Sequence, residues 1–469
     1  MYCKLADRIA LRSWKLVPRA YYVSGVREAR GLSREEFLTL IDCDGAHDVE
    51  DTPVLRGLME RGLVVVCEPG DEITPWQRLR LSSTRYFPHI NWSITGKCNF
   101  NCLHCFMAAD NAPMMDEFTW EECLALLDEV EYAGIQTITL TGGEPMLHPH
   151  FMDLCREIAR RHLTLAEINT NGSFITPEML DEFRELGLDP EIKISYDGVG
   201  HHDWLRNRAG AEELARRAFE LCHAKGFRTR AQTNVHRGNL DCMYDTVKWL
   251  DDLGVEEIRI IRTSEAPRWE ENARGMCLGI DEYYDAMLEL IERVVKSDMA
   301  IKVDVWQFVY FNPHGRWYGM HPVQGSCARY RDNAPVCKGA RGTIAVSHTG
   351  ELTPCNQLSG WFAAHGISLG NVKEKPLREF LTEGAYLDCV TTPVSKVRER
   401  DEQCEACPYW KVCMGGCRAI ACALSGEFLA ADKAKCLFFK GGYLEKVARA
   451  FASAKKSYRG IDDLRGLSD

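Results

Sequence analysis

From Ile90 to about Asn312 the apolar and polar positions repeat one rhythm: a short β-branched run, then a segment with helical spacing. Strands are predicted at Asn91–Thr95, Thr137–Thr141, Leu165–Asn169, Glu191–Ser195, Thr229–Asn234 and Glu257–Arg262, with helix-length segments between them. In Thr119–Tyr132, for example, Cys123, Leu127 and Val130 share a face, with Leu126 beside it. Six βα units in a row predict an α/β fold whose parallel sheet curls into a partial, TIM-like (βα)6 barrel over residues 89–311. Asn169, Asn171, Ser195, Asp197 and Asn234 fall at the C-terminal ends of these strands. That mouth is where parallel barrels place ligands.

The flanks follow other patterns. In residues 1–88, Tyr21–Val23 reads as a strand, and Ser33 with Glu36 forms a capping box ahead of a helix carrying Phe37, Leu38 and Ile41. A second helix is predicted from near Asp51, with Pro53 in its first turn and a stop near Gly62, followed by a strand at Leu63–Val66. Helix, helix, strand is the rhythm of a winged-helix module. After Asn312 the periodicity fades and Gly, Pro and Cys become frequent. Residues 312–445 therefore read as a Cys-rich unit held by metal crosslinks. Residues 446–469 read as a C-terminal tail, polar and frayed or loosely docked past about Ser453.

The 469 residues, 45% hydrophobic and 27% charged, are those of a globular protein of two or three domains. A net charge of -11 disfavours nucleic acid or an anionic membrane as partner. Met1–Ala10 lacks a secretory pattern and no apolar run is long enough to cross a bilayer, so a cytoplasmic location is expected. In that compartment 21 cysteines point away from structural disulfides. Cys123, Cys155, Cys222, Cys242 and Cys277 stand alone and read as small buried hydrophobes.

Ten others fall into two spaced sets. Cys98-x3-Cys102-x2-Cys105 follows the first barrel strand. Zinc wants four ligands, commonly as two paired knuckles, and this triplet has no partner pair nearby. Three thiolates suit an iron–sulfur cluster with one iron left without a protein ligand. The second set is Cys337-x12-Gly350-x4-Cys355, then Cys404-x2-Cys407-x5-Cys413-x3-Cys417, then Cys436. Its thiolates are about enough to close two further clusters.

The triplet, Gly142-Gly143-Glu144-Pro145 after the second strand, Asn169-Thr170-Asn171-Gly172 after the third and Ser195-Tyr196-Asp197-Gly198 with His201–Arg206 after the fourth together resemble the radical S-adenosylmethionine (SAM) superfamily. The resemblance implies a [4Fe–4S] cluster on Cys98, Cys102 and Cys105, with SAM chelating its open iron and yielding a 5′-deoxyadenosyl radical that abstracts hydrogen. It implies Gly142, Gly143 and Glu144 at the methionine amino group, Asn169 and Asn171 at the ribose or methionine, and Ser195 and Arg206 at the carboxylate, with Asp197 in the same segment. The downstream set resembles the SPASM domain. That resemblance implies one auxiliary [4Fe–4S] cluster on Cys337, Cys355 and Cys417, with Cys327 as the candidate to complete it or one iron left open. A second would sit on Cys404, Cys407, Cys413 and Cys436, making three clusters, the auxiliary pair passing electrons. Cys389 and Cys422 lie outside the pattern and read as structural. A flavodoxin- or ferredoxin-type electron donor and anaerobic working conditions follow.

The N-terminal unit resembles the leader-recognition module of ribosomal peptide maturases, whose edge strand pairs with an extended leader. Asn356 stands after Cys355 where the sulfatase-maturing enzymes place an acidic base. The expected function is thus a maturase that crosslinks side chains of a ribosomally made precursor peptide through a thioether or carbon–carbon bond. Rival readings are peptide epimerisation, an enzyme oxidising or rearranging a small molecule or tetrapyrrole, and a non-catalytic electron carrier. For the general base Asp304, His314 and Asn356 are all conceivable, and spacing favours none.

Overall fold

The computed structural model describes residues 1–105, 116–263, 269, 272, 275–337, 342–454 and 456–464. The N-terminal unit holds β1 (Tyr2–Leu5), β2 (Ile9–Trp14), β3 (Val17–Val23), β4 (Arg30–Gly31), α1 (Arg34–Asp42), β5 (Asp44–Asp48), α2 (Pro53–Glu60), β6 (Val64–Val66) and β7 (Arg80–Ser82). The Ser33 capping box forms in both directions, Ser33 Oγ taking the Glu36 N–H and the Glu36 carboxylate taking the Ser33 N–H. Pro53 opens α2, capped by Thr52. The unit is more β-rich than its helix–helix–strand rhythm predicts. β5 lies between the helices, and β1 pairs with both β5 and β6. A second sheet has the order β4-β3-β2-β7.

The unit sits on the barrel through the C-terminal end of α3 (Trp120–Ala133). Trp14 Nε1 donates to the Ala133 carbonyl at 2.7 Å, Ser82 Oγ to that of Tyr132 at 2.6 Å, and the Tyr22 hydroxyl to that of Gly134. These bonds satisfy carbonyls that a helix end leaves without partners. Arg80 adds an ion pair to Glu131 at 3.0 Å.

The barrel strands are β8 (His89–Thr95), β9 (Thr137–Gly142), β10 (Thr164–Thr170), β11 (Glu191–Ser195), β12 (Thr229–Val235), β13 (Glu257–Arg262) and β14 (Lys302–Val305), all parallel in that order. Helices α4 (Phe151–Arg160), α5 (Pro177–Glu185), α6 (His202–Arg206), α7 (Ala211–Ala224) and α8 (Met243–Asp252) fill the crossovers. The sheet continues antiparallel through β15 (Val309–Asn312) and β16 (Trp317–Met320). At its other edge β17 (Thr343–Val346) pairs in parallel with β8, followed by β18 (Leu352–Thr353). The Cys-rich unit therefore extends the barrel sheet, which stays open between β18 and its far edge.

Alternation assigns the two faces. Ile90, Trp92, Ile138, Leu140, Ile168, Ile192, Ile194, Ile258 and Ile260 point outward into one core with Leu127, Leu154, Phe183, Phe219 and Leu250 of the helices. The concave face is polar. His89 meets Thr137 at 2.8 Å, Thr139 bonds Glu167 at 2.9 Å, Lys193 pairs with Glu167 at 2.6 Å, and Arg230 bridges Glu191 and Glu257. A closed barrel fills this space with branched apolar side chains; this one keeps it lined with charge.

The C-terminal stretch is anchored. Helix Tyr443–Ala452 runs through the expected boundary at 446 and stacks Phe451 on Tyr318 at 4.0 Å. Beyond it β19 (Arg459–Gly460) pairs with β16, and the Asp462 carboxylate takes the Met320 N–H at 2.8 Å. Among the described residues, aromatic packing and strand pairing dock this stretch on the sheet. Among the described residues no helix is long and apolar enough to cross a membrane.

Candidate active site and cysteine clusters

The loop after β8 carries Cys98, Cys102 and Cys105, and neighbouring motifs fix it. Asn99 accepts from Asn171 Nδ2 at 2.8 Å and donates to Ser173 Oγ at 2.9 Å. Arg208 Nη1 donates to the Asn99 carbonyl at 3.0 Å, and the Leu103 N–H to that of Leu205 at 2.9 Å. Asn171 thus faces the cysteine loop. The three thiols are near enough to repel one another as thiolates, and enclosure by protein raises Cys102 above the ordinary thiol range. Converging thiols that resist ionisation by themselves are what a cationic metal centre would stabilise. The donor set fits an iron–sulfur cluster with three protein ligands.

Gly142 and Gly143 are glycines because the cysteine loop crosses them. A Cβ on Gly143 would lie 2.2 Å from the Lys97 carbonyl oxygen, and one on Gly142 2.3 Å from that of Thr95. Glu144 is fully buried. Its carboxylate accepts from Thr170 Oγ1 at 2.9 and 3.0 Å and from the Asn171 N–H at 2.8 Å, which ties the second motif to the third. Burial pushes its pKa up to about 7 against those bonds. A folded-state value above the ordinary 4.5 gives stability that is complete below about 4.5 and lost as pH rises through 7. Glu144→Gln removes that loss but misplaces one acceptor, at about 1–3 kcal/mol. Its unfolding midpoint is expected to trail the parent at pH 5 and to close the gap by pH 8. A constant gap would show Glu144 ionised throughout.

At the end of β11 Asp197 is fully buried and grips Arg206 bidentately, at 2.6 and 3.0 Å. It also takes the Asn234 N–H at 2.9 Å and lies 3.1 Å from His202 Nδ1. The guanidinium holds Asp197 well below the usual carboxylate range. Arg206 Nη1 reaches 3.9 Å from Cys102 Sγ, so the cation lies beside the thiol cluster. Ser195 is half-buried on the concave face. Near the mouth the Asn169 Oδ1, His104 Nδ1, His202 Nε2 and His236 Nε2 atoms are buried without a hydrogen-bond partner among the described residues. Unpaired buried polar atoms are costly in a finished interior, and beside the thiols they suit a polar ligand. His104, beside Cys105, and His202, in the His201–Arg206 segment, stood in motifs that the sequence displays; His236 escaped the sequence reading, because a lone His gives no signal.

The downstream thiols fall into two groups. Cys355, Cys337 and Cys417 influence one another, as do Cys404, Cys407 and Cys436, with Cys436 also next to Cys413. Gly350, at φ +89, makes the tight turn between the first pair. Cys389 adjoins Cys337 and Cys422. Cys327 opens a helical turn whose approach, Gln324 and Gly325, hydrogen-bonds to the Val412 carbonyl. Of the conceivable bases, Asp304 is locked between Arg259 at 2.7 Å and His321 at 2.6 Å and held near 2, too low for a base near neutral pH. His314 is exposed and Asn356 half-buried.

Residues 92–250 match the radical SAM superfamily, and residues 337–408 match SPASM, an iron–sulfur cluster-binding domain. The chain is a radical SAM enzyme with a SPASM domain. Among curated proteins it is similar to the AdoMet-dependent heme synthase of Methanosarcina barkeri, 28% identical over 357 residues, 75% of this chain and 97% of that one. It is also similar to the mycofactocin maturase of Mycobacterium ulcerans, 27% identical, covering 70% of this chain and 82% of the other. In fold, this radical SAM chain resembles Streptococcus suis SuiB bound to its precursor peptide SuiA. The TM-score is 0.60 at 11% identity, over 89% of this chain and 96% of that one.

Proposed function

We propose that this radical SAM enzyme matures a ribosomally made precursor peptide, crosslinking its side chains through a thioether or carbon–carbon bond. The observation that carries the reading is the N-terminal unit. It is folded, it docks on α3, and the likeness to peptide-bound SuiB, at 89% of the chain, is longer than everything beyond residue 88. Curated heme synthases match about three quarters of the chain.

In this reading Cys98, Cys102 and Cys105 hold the catalytic cluster. Bound there, SAM and the cluster supply a 5′-deoxyadenosyl radical able to take hydrogen from an unactivated C–H bond. The chain's residues bind and orient. Asn169 and Ser195 line the ligand's place, and Asp197 aims Arg206 at the methionine carboxylate. Glu144 keeps the loops after β9 and β10 together, and the backbone at Gly142 and Gly143 meets the methionine amino group. The polar concave face receives the substrate segment and excludes bulk water around it. Cys337, Cys355 and Cys417, with Cys327, and Cys404, Cys407, Cys413 and Cys436 hold two auxiliary [4Fe–4S] clusters that relay electrons, with a flavodoxin or ferredoxin as external donor.

The heme-synthase similarity favours a second reading, in which the substrate is a tetrapyrrole. Binding separates the two. Fluorescence anisotropy of a labelled precursor, encoded by a neighbouring short reading frame, should show binding that weakens at least tenfold when its leader is removed. Tight binding of an iron porphyrin, with no peptide binding, would establish the second reading instead.

A further inference from the structure

The Cys-rich unit buries two charged side chains among its thiols. Asp432 and Lys435 are each 1% exposed. Asp432 is fixed by three backbone donors: Cys417 N–H at 2.8 Å, Ala434 N–H at 2.9 Å and Lys435 N–H at 3.1 Å. The stem of Lys435 lies against the turn that joins Cys413 to Cys417. A Cβ on Gly416 would meet Lys435 Cγ at 2.7 Å and Asp432 Cβ at 2.4 Å. The ammonium has Asp432, Cys417 and Cys413 as electrostatic neighbours. Cys417 belongs to the group with Cys337 and Cys355, and Cys413 to the group with Cys436. The buried Lys435 side chain therefore lies against the turn that joins a thiol of one group, Cys417, to a thiol of the other, Cys413.

Burying an ammonium is unfavourable unless it faces compensating negative charge. A single carboxylate already shared among three N–H donors is weak compensation. Thiolates holding iron–sulfur clusters would supply the rest. A cluster held by four thiolates is anionic and gains one more negative charge on taking an electron, so a cation close by favours its reduced form.

We propose that Lys435 tunes both auxiliary clusters, its shared positive charge raising their reduction potentials together and keeping electron passage between them nearly level. This rests on the auxiliary-ligand assignment under the proposed function. Lys435 touches neither substrate nor SAM and acts only through the clusters, as a positioning residue.

The test is an EPR-monitored redox titration of the anaerobically reconstituted full chain and of Lys435→Met, Lys435→Gln and Lys435→Arg, with iron counted in each. The SAM cluster, recognised by its spectral change when SAM is added, serves as internal control. The Met and Gln variants are expected to keep their iron and to lower an auxiliary potential by at least 59 mV, a tenfold change for one electron. The Arg variant should stay near the parent, and the SAM cluster should not move. Unchanged auxiliary potentials with full iron would overturn the proposal. So would iron loss in both neutral variants but not in Lys435→Arg, since the charge would then serve assembly. A parent holding only about four irons would refute the ligand assignment itself, whatever the potentials.

Discussion

Replacing Cys98, Cys102 and Cys105 by alanine is expected to bring 5′-deoxyadenosine release to background, with loss of about four irons per chain. The loop geometry argues for an all-or-none result. The three thiols share one loop pinned by Asn171, Arg208 and Leu205. The Arg206 guanidinium lies 3.9 Å from Cys102 Sγ, and a cation cannot replace a thiolate ligand. Each single variant should approach the triple one, because two thiolates leave a cluster with half its irons unheld. Anaerobic reconstitution, chromatographic assay of 5′-deoxyadenosine under dithionite and iron analysis check this. Release near the parent level from the triple variant would end the radical reading. Retained auxiliary signals would show that the SPASM domain still folds.

Most of the barrel was legible because strand and crossover alternate in a pattern that side-chain burial enforces. The predicted Glu191–Ser195 and Glu257–Arg262 appear with those bounds, and the others differ by one or two residues at their ends. The motifs after β9, β10 and β11 were equally readable as sequence. Their contacts were not. Glu144 reads as an acceptor for an ammonium, and in the fold its carboxylate also accepts from Thr170 Oγ1 and the Asn171 N–H. A sequence names the acceptor and leaves open which donor reaches it.

The elements that escaped depend on distant partners. Asp44–Asp48 has no β-branched residue and becomes a strand because β1 lies beside it. Arg459–Gly460 is two exposed residues whose pairing is set by β16, some 140 positions away along the chain, where Tyr318 stacks on the nearby Phe451. The charged lining of the concave face was present at period two in Glu191, Lys193, Arg230, Glu257 and Arg259. Only the curl of the sheet tells that lining from a solvated outer face.

Asp197→Ala should cause the second-largest loss, and by a different route. The carboxylate is fully buried, and it is the counter-charge that the Arg206 guanidinium grips through two bonds. Removing one partner of a buried pair leaves a charge without compensation and costs about 3–5 kcal/mol. The Asn234 N–H loses its acceptor in the same step. Arg206 is then free to swing from its place beside Cys102, so the loss falls on the ligand site as well as on the fold. Asp197→Asn keeps the shape and one acceptor but drops the charge, and should fall between Ala and the parent. Unfolding midpoints with SAM affinity by equilibrium dialysis would resolve the two effects. The Ala variant is expected to unfold well below the parent and to bind SAM at least tenfold more weakly at a temperature where it is still folded. An unchanged midpoint would mean that water reaches Arg206 and takes over the role of the carboxylate.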